Sequence, residues 1–98
     1  MSPGGFLLRV LVRLGRAFSN EAGFAERAFD LPPGSTAGFL LARIAAEAPS
    51  LSCVEGGAVD LAVAQLSVNG HTADPRAPER HVLSDGDEAY LFAPISGG

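Results

Sequence analysis

Leu83-Ser84-Asp85-Gly86-Asp87-Glu88-Ala89-Tyr90-Leu91-Phe92-Ala93-Pro94-Ile95-Ser96-Gly97-Gly98 closes this chain of 98 residues, and its reading decides the fold. Ser84 to Asp87 is a turn signal, because Ser and Asp oxygens bond nearby backbone amides and Gly accepts angles other residues resist. Residues 88–93 then alternate, with Ala89 and Leu91 on one face and Tyr90 and Phe92 on the other, as in a last β-strand. Pro94 stops the strand, since it has no amide to give to a ladder. Beyond it, Gly97 and Gly98 carry no side chains beside a terminal carboxylate, a thin and flexible tail that another protein's active site could admit. A frayed terminus that happens to end in Gly-Gly is the plain alternative.

Moving toward the amino end, Asn69-Gly70 is the preferred dipeptide of a two-residue type I′ hairpin. It predicts a third strand over 61–68 and a short fourth over 71–73, with Pro75 and Pro78 breaking the following stretch into a loop. Residues 50–60, with Gly56-Gly57 and no periodicity, read as a connection. Ahead of them, Ala37, Leu40, Leu41, Ile44, Ala45 and Ala48 fall at helical spacing and make one apolar stripe. Ser35 or Thr36 would cap that helix, Arg43 and Glu47 would pair on its solvent side, and Pro49 would end it. Residues 24–31 form a second strand candidate, with Phe29 and Leu31 inward and Asp30 outward, stopped by Pro32-Pro33-Gly34. Residues 15–23 are polar and glycine-bounded, suited to a loop. Residues 6–14 alternate Phe6, Leu8, Val10, Val12 and Leu14 on one face, a half-buried first strand after a loose start at 1–5. The result is an α+β domain spanning 1–98, one sheet packed on one helix, with a flexible tail at 94–98.

Composition narrows the function classes. Hydrophobic residues make up 47% of the chain, enough for a folded domain with a single modest core. The net charge is −4 and the seven positive charges, all Arg, are scattered, which argues against a nucleic-acid footprint. Arg9 and Arg13 interrupt the first apolar run, so no signal peptide is expected, and no stretch approaches a membrane span. Cys53 is alone, which excludes an internal disulfide and fits a reducing cytosol. It reads as a buried or incidental loop cysteine before a reactive one. The chain has no lysine, so joining copies through lysine is excluded. His71 and His81 lack a third ligand nearby, and Asp85, Asp87 and Glu88 lack the rest of a calcium loop. Those acids read as a turn with a second role in attracting basic residues of an enzyme. Ser96 has no His or acid arranged around it, so a triad is unsupported.

Leu31-Pro32-Pro33-Gly34-Ser35-Thr36, Val68-Asn69-Gly70, Leu83 to Glu88 and Phe92 to Gly98 together resemble the MoaD/ThiS family of ubiquitin-like sulfur-carrier proteins. The length and the Phe92-Ala93-Pro94 ending are MoaD-like. The resemblance implies a ubiquitin-like β-grasp fold, with a mixed sheet of about five strands on one main helix. It implies that a MoeB/ThiF-like adenylating enzyme uses ATP to join the Gly98 carboxylate to AMP, and that a sulfur donor then leaves a thiocarboxylate. Gly97 would keep the carbonyl open, and the chain itself would bind no cofactor and supply no catalytic side chain. The acceptor would be a MoaE-like large subunit, making this chain the small subunit of a molybdopterin synthase in the cytoplasm, without nucleic acid or membrane. Tyr90, Phe92, Pro94, Ile95 and Ser96 would meet these partners, although a second core layer would explain Tyr90 and Phe92 equally well. Thr72 is less apolar than its counterparts in the family. Other readings are a carrier for thiamin or cysteine biosynthesis, a ubiquitin-like protein modifier, and a binding module with an inert tail.

Overall fold

The computed structural model of the chain describes residues 7–94. Phe6 and the four tail positions Ile95, Ser96, Gly97 and Gly98 lie outside the described residues. In chain order the elements are β1 (Leu8–Leu14), α1 (Arg16–Ala22), β2 (Glu26–Leu31), α2 (Ala37–Glu47), β3 (Val54–Glu55), β4 (Ala58–Val59), β5 (Gln65–Val68), β6 (His71–Thr72) and β7 (Glu88–Phe92), with a 3₁₀ turn at Pro78–Arg80 before the last strand. Five strands form a mixed sheet in the order β2-β1-β7-β5-β6, and β3 with β4 makes a separate hairpin. β1 pairs antiparallel with β2 and parallel with β7, while β7 pairs antiparallel with β5.

The alternation predicted for the strands decides which face is covered. Val10, Val12 and Leu14, Phe29 and Leu31, Leu66 and Val68, and Ala89 and Leu91 all turn inward onto α2 and form one core with its stripe. Every predicted stripe position of the helix is buried. Thr36 is the cap, its hydroxyl oxygen accepting the Phe39 N–H at 3.2 Å. Ser35 instead donates its hydroxyl to the Pro32 carbonyl at 2.6 Å, closing the Pro-Pro-Gly turn.

The Ser84–Asp87 turn fastens the two ends of the chain together. Asp85 Oδ1 accepts the Arg9 N–H at 2.8 Å, and the Arg9 carbonyl accepts the Gly86 N–H at 2.8 Å. Asp87 accepts from the Ser84 N–H and from Asn69 Nδ2, and Asn69 Oδ1 accepts the Glu88 N–H. Asn69 holds a left-handed φ of 52° and Gly70 one of 86°, the type I′ geometry that Asn-Gly favours. Of the three acids read from sequence as a lure for a basic partner, Asp85 and Asp87 thus turn their carboxylates onto the chain's own backbone and Asn69, while Glu88 engages Asn69 through its backbone.

Several expectations fail, for local reasons. Residues 15–23 hold α1, not a loop, because Phe18 buries against the core and Gly23 ends the helix in a left-handed conformation at φ 85°. The segment 50–60 is not a bare connection: Gly56 and Gly57, at φ 64° and 82°, turn the β3–β4 hairpin. The third strand begins at Gln65, because the Asp60 carboxylate accepts the Ala62 N–H and folds the preceding residues into a turn. The second starts at Glu26, the fourth ends at Thr72 and the last ends at Phe92. The stretch holding Pro75 and Pro78 contains the 3₁₀ turn. Glu47 bonds Arg27 of β2 at 3.2 Å, not Arg43 one turn away.

Leu91 is fully buried at the middle of the sheet, so Leu91→Ala should cost about 2–5 kcal/mol in urea unfolding. Asn69→Ala removes the left-handed preference and two side-chain bonds, and should cost about 1–3 kcal/mol by the same measurement.

Candidate functional site

The side chains that alternate away from α2 lie on the open face of the sheet. Tyr90 and Phe92 stack there with ring centroids 4.9 Å apart and planes at 20°. Tyr90 is 42% exposed and Phe92 half-buried, and neither belongs to the core. Among the described residues no second layer covers them. The pair therefore lies on an open surface and not in a second core layer.

α1, which the sequence reading missed, makes one wall beside this pair. Gly15 donates its N–H to the Leu91 carbonyl at 2.8 Å, drawing the start of α1 against the end of β7. A Cβ on Gly15 would stand 3.1 Å from Phe92 Cβ and 3.6 Å from the Tyr90 hydroxyl. The bare glycine is what admits the aromatic pair. Between α1 and β7 runs an open groove of about 560 Å³, lined by Gly15, Ala17, Phe18, Phe92 and Pro94 among others. A second groove of about 380 Å³ lies beyond Tyr90, between Arg13 and the Asn69-Gly70 turn. Tyr90 borders both grooves, and Pro94, where the described chain ends, borders the first. The one signal for α1 in the sequence was Phe18 and Ala22 at i,i+4 ahead of a glycine stop.

Apart from Leu11 and Ala28, which face each other across β1 and β2, the open face beyond the aromatic pair is mostly polar. The register row through Tyr90 runs Glu26, Arg13, Tyr90, Ser67 and Thr72, and Arg13 pairs with Glu26 at 3.5 Å. Both partners are more than half exposed, so that pair adds little to stability. Thr72 is exposed on this same face, which puts the polar residue flagged from sequence beside the aromatic pair's row. Ile95, Ser96, Gly97 and Gly98 lie outside the described residues, so the face is described up to Pro94.

Cys53 sits in the core, 1% exposed, on the side of the sheet that α2 covers. Burial pushes its thiol pKa up, a backbone hydrogen bond works against that, and the Glu21 and Asp60 carboxylates add to the rise. A thiol raised this way favours the folded state below its unfolded range, and that share is lost as pH climbs through the folded value. Among the described residues no group of three or more His, Cys, Asp or Glu side chains is placed to hold a metal.

The model of the ThiS family matches residues 15–98. The crystal structure of SAMP1 from Haloferax volcanii superposes with a TM-score of 0.74 at 28% identity, covering 92% of this chain and 99% of that one. The small archaeal modifier protein 1 from Methanosarcina acetivorans gives 0.74 at 23% identity over 96% and 100% of the two chains. A Pyrococcus furiosus protein assigned as molybdopterin converting factor, subunit 1, gives 0.70 at 22% identity over 90% and 99%. The last two are likenesses of fold.

Gly15→Ala should press on Phe92, costing about 1 kcal/mol and shifting the ring-current-sensitive NMR signals of Tyr90 and Phe92. Tyr90→Ala should leave the unfolding midpoint nearly unchanged, since the ring is outside the core. Cys53 should resist alkylation in the native protein at neutral pH and react once urea unfolds it.

Proposed function

The chain belongs to the ThiS family of ubiquitin-like sulfur carriers and modifiers, and we propose that it is a sulfur carrier whose reactive group is the Gly98 carboxylate. The carboxylate attacks the α-phosphorus of ATP on an activating enzyme and releases pyrophosphate, leaving an acyl-adenylate. Hydrosulfide attacks that carbonyl and AMP departs, leaving a thiocarboxylate. With a persulfide donor the product is an acyl disulfide, and a second thiol cuts its S–S bond, releasing the thiocarboxylate and forming a disulfide with the donor. A carboxylate is a poor electrophile, and the mixed anhydride makes it a good one. Glycine at 97 and 98 leaves the carbonyl open to attack from either side. The side chains of this chain bind and orient; the catalytic groups belong to the partner.

The observation that carries this reading is the family match running through to Gly98, on a chain whose last strand leads from an exposed aromatic pair to Pro94. Tyr90 and Phe92 would dock the activating enzyme, Pro94 would limit slack at the root, and Ile95 and Ser96 would enter the enzyme's channel with the glycines. An exposed Tyr beside an apolar groove is the kind of anchor that dominates protein interfaces. In the reading favoured here, the thiocarboxylate serves the dithiolene of molybdopterin as the small subunit of its synthase, in the cytoplasm. The Phe92-Ala93-Pro94 ending and the fold likeness to the Pyrococcus protein support that assignment. A second reading, conjugation to protein lysines, is favoured by the likeness to SAMP1 at 28% identity.

Incubation with a ThiF-like adenylating enzyme, ATP and a sulfur source should raise the intact mass by the exchange of one oxygen for one sulfur. Conjugation would instead give adducts in native lysate that survive reductant and boiling. Removing Gly98 should abolish whichever product forms. Tyr90→Ala should raise the KM of adenylation by about tenfold or more, the loss of a docking anchor, with kcat little changed. Absence of any adenylate with the wild-type chain would overturn the proposal.

A further inference from the structure

β2 is an edge strand, and among the described residues nothing pairs with its outer side. The Leu14 N–H donates to the Ala25 carbonyl at 2.9 Å, which makes those two a hydrogen-bonded pair. Antiparallel ladders alternate, so Val12–Arg27, Val10–Phe29 and Leu8–Leu31 are bonded pairs as well. The N–H and C=O groups of Glu26, Ala28 and Asp30 consequently point away from β1, toward solvent. Strand β1 agrees, because Leu11 and Arg9, opposite Ala28 and Asp30, spend their backbone bonds on Asp87 and Gly86. Glu26, Ala28 and Asp30 are all exposed, and among the described residues no side chain caps their backbone groups.

The charges on this edge say what fits it. On the open face Asp30 is bridged by Arg9 at 3.1 Å and Glu26 by Arg13 at 3.5 Å. Each of these rows sets an arginine on β1 beside a carboxylate on the edge strand. A second copy of β2, paired antiparallel about Ala28, would set Glu26 opposite Asp30 twice, and like charges directly opposite repel. A strand with basic residues at those two positions would place each carboxylate between two positive charges. Position 28 between them carries only a methyl group and leaves room for a small residue.

We propose that the β2 edge is a docking site for an extended segment of a partner protein. The segment carries basic side chains two positions either side of a small residue and adds antiparallel to β2 as a further strand. Backbone bonds to Glu26, Ala28 and Asp30 hold it, and its basic residues meet Glu26 and Asp30. This site is independent of the tail chemistry.

The test uses the full chain, isotopically labelled, and the synthetic peptide acetyl-Ser-Arg-Val-Ala-Val-Arg-Ser-amide. Amide exchange should slow at Glu26, Ala28 and Asp30 and stay unchanged at Arg27 and Phe29, whose amides already face β1. The same peptide with Glu in place of both Arg should bind at least about tenfold more weakly. The double variant Glu26→Lys, Asp30→Lys should reverse that preference. Ala28→Pro, which removes an edge N–H without altering charge, should abolish protection while the fold persists. Shifts spread over the acidic surface without slowed exchange at those three amides would overturn the proposal, as would equal binding of the two peptides. Protection that grows with protein concentration and needs no peptide would assign the edge to a second copy and overturn it too.

Discussion

The parallel pairing of β1 with β7 is the constraint on which the rest of the molecule depends. It joins the first described strand to the last, so the whole intervening chain becomes the crossover that a parallel pair requires. Closing so long a loop costs entropy that local contacts cannot offset. The Ser84–Asp87 turn meets that cost where the ends join, by exchanging bonds between Arg9 and both Asp85 and Gly86 just before the ladder starts. Once Val12 lies beside Ala89 and Leu14 beside Leu91, the inward row is set and α2 has a floor to cover. The same register fixes the outward row, so Tyr90 and Phe92 face solvent because their neighbours do not.

Gly15 links that constraint to the site. It ends β1, bonds β7 and starts α1 within a single residue. Had it carried a side chain, its Cβ would stand 3.1 Å from Phe92 Cβ, tighter than most Cβ contacts in proteins, and one of the two would have to give way. The groove beside Pro94 therefore exists because a strand, a helix and the root of the tail converge where one residue takes no space. Packing created this hollow, and no row of chemically distinctive side chains marks it.

That is why much of the fold was legible in the sequence and part of the site was not. Alternation in β1 and β7, the inward Phe29 and Leu31 of β2, the stripe of α2 and the Asn69-Gly70 turn each depend on local periodicity or turn chemistry. Each is present, with β2 beginning two residues later and β7 ending one residue earlier than expected. The failures share a cause. α1 has seven residues and buries Phe18 as its single fully covered side chain, too few to show a helical period. The β3–β4 hairpin is two residues a side, below the length at which alternation is readable. Glu47 pairs with Arg27 and not with Arg43 because a tertiary neighbour outcompeted a helical one, which spacing alone does not reveal. Tyr90 and Phe92 could be assigned to a face from the sequence, but whether that face was covered awaited the sheet order.

Carrier and modifier readings share the tail and differ only in the nucleophile that meets the activated carbonyl, so the tail cannot select between them. Selection must come from surfaces that recognise the acceptor. The aromatic face is the one closest to the tail and would be covered while the terminus is threaded into a partner. β2 lies two strands from β7 in the sheet order, roughly 10 Å away at ordinary strand spacing. A segment bound at that edge would approach through backbone bonds in the plane of the sheet, whereas a partner on Tyr90 approaches from above it. The two contacts can coexist. An acceptor held at the edge could remain in place while the enzyme on the open face exchanges, and a small domain would gain its specificity from that geometry.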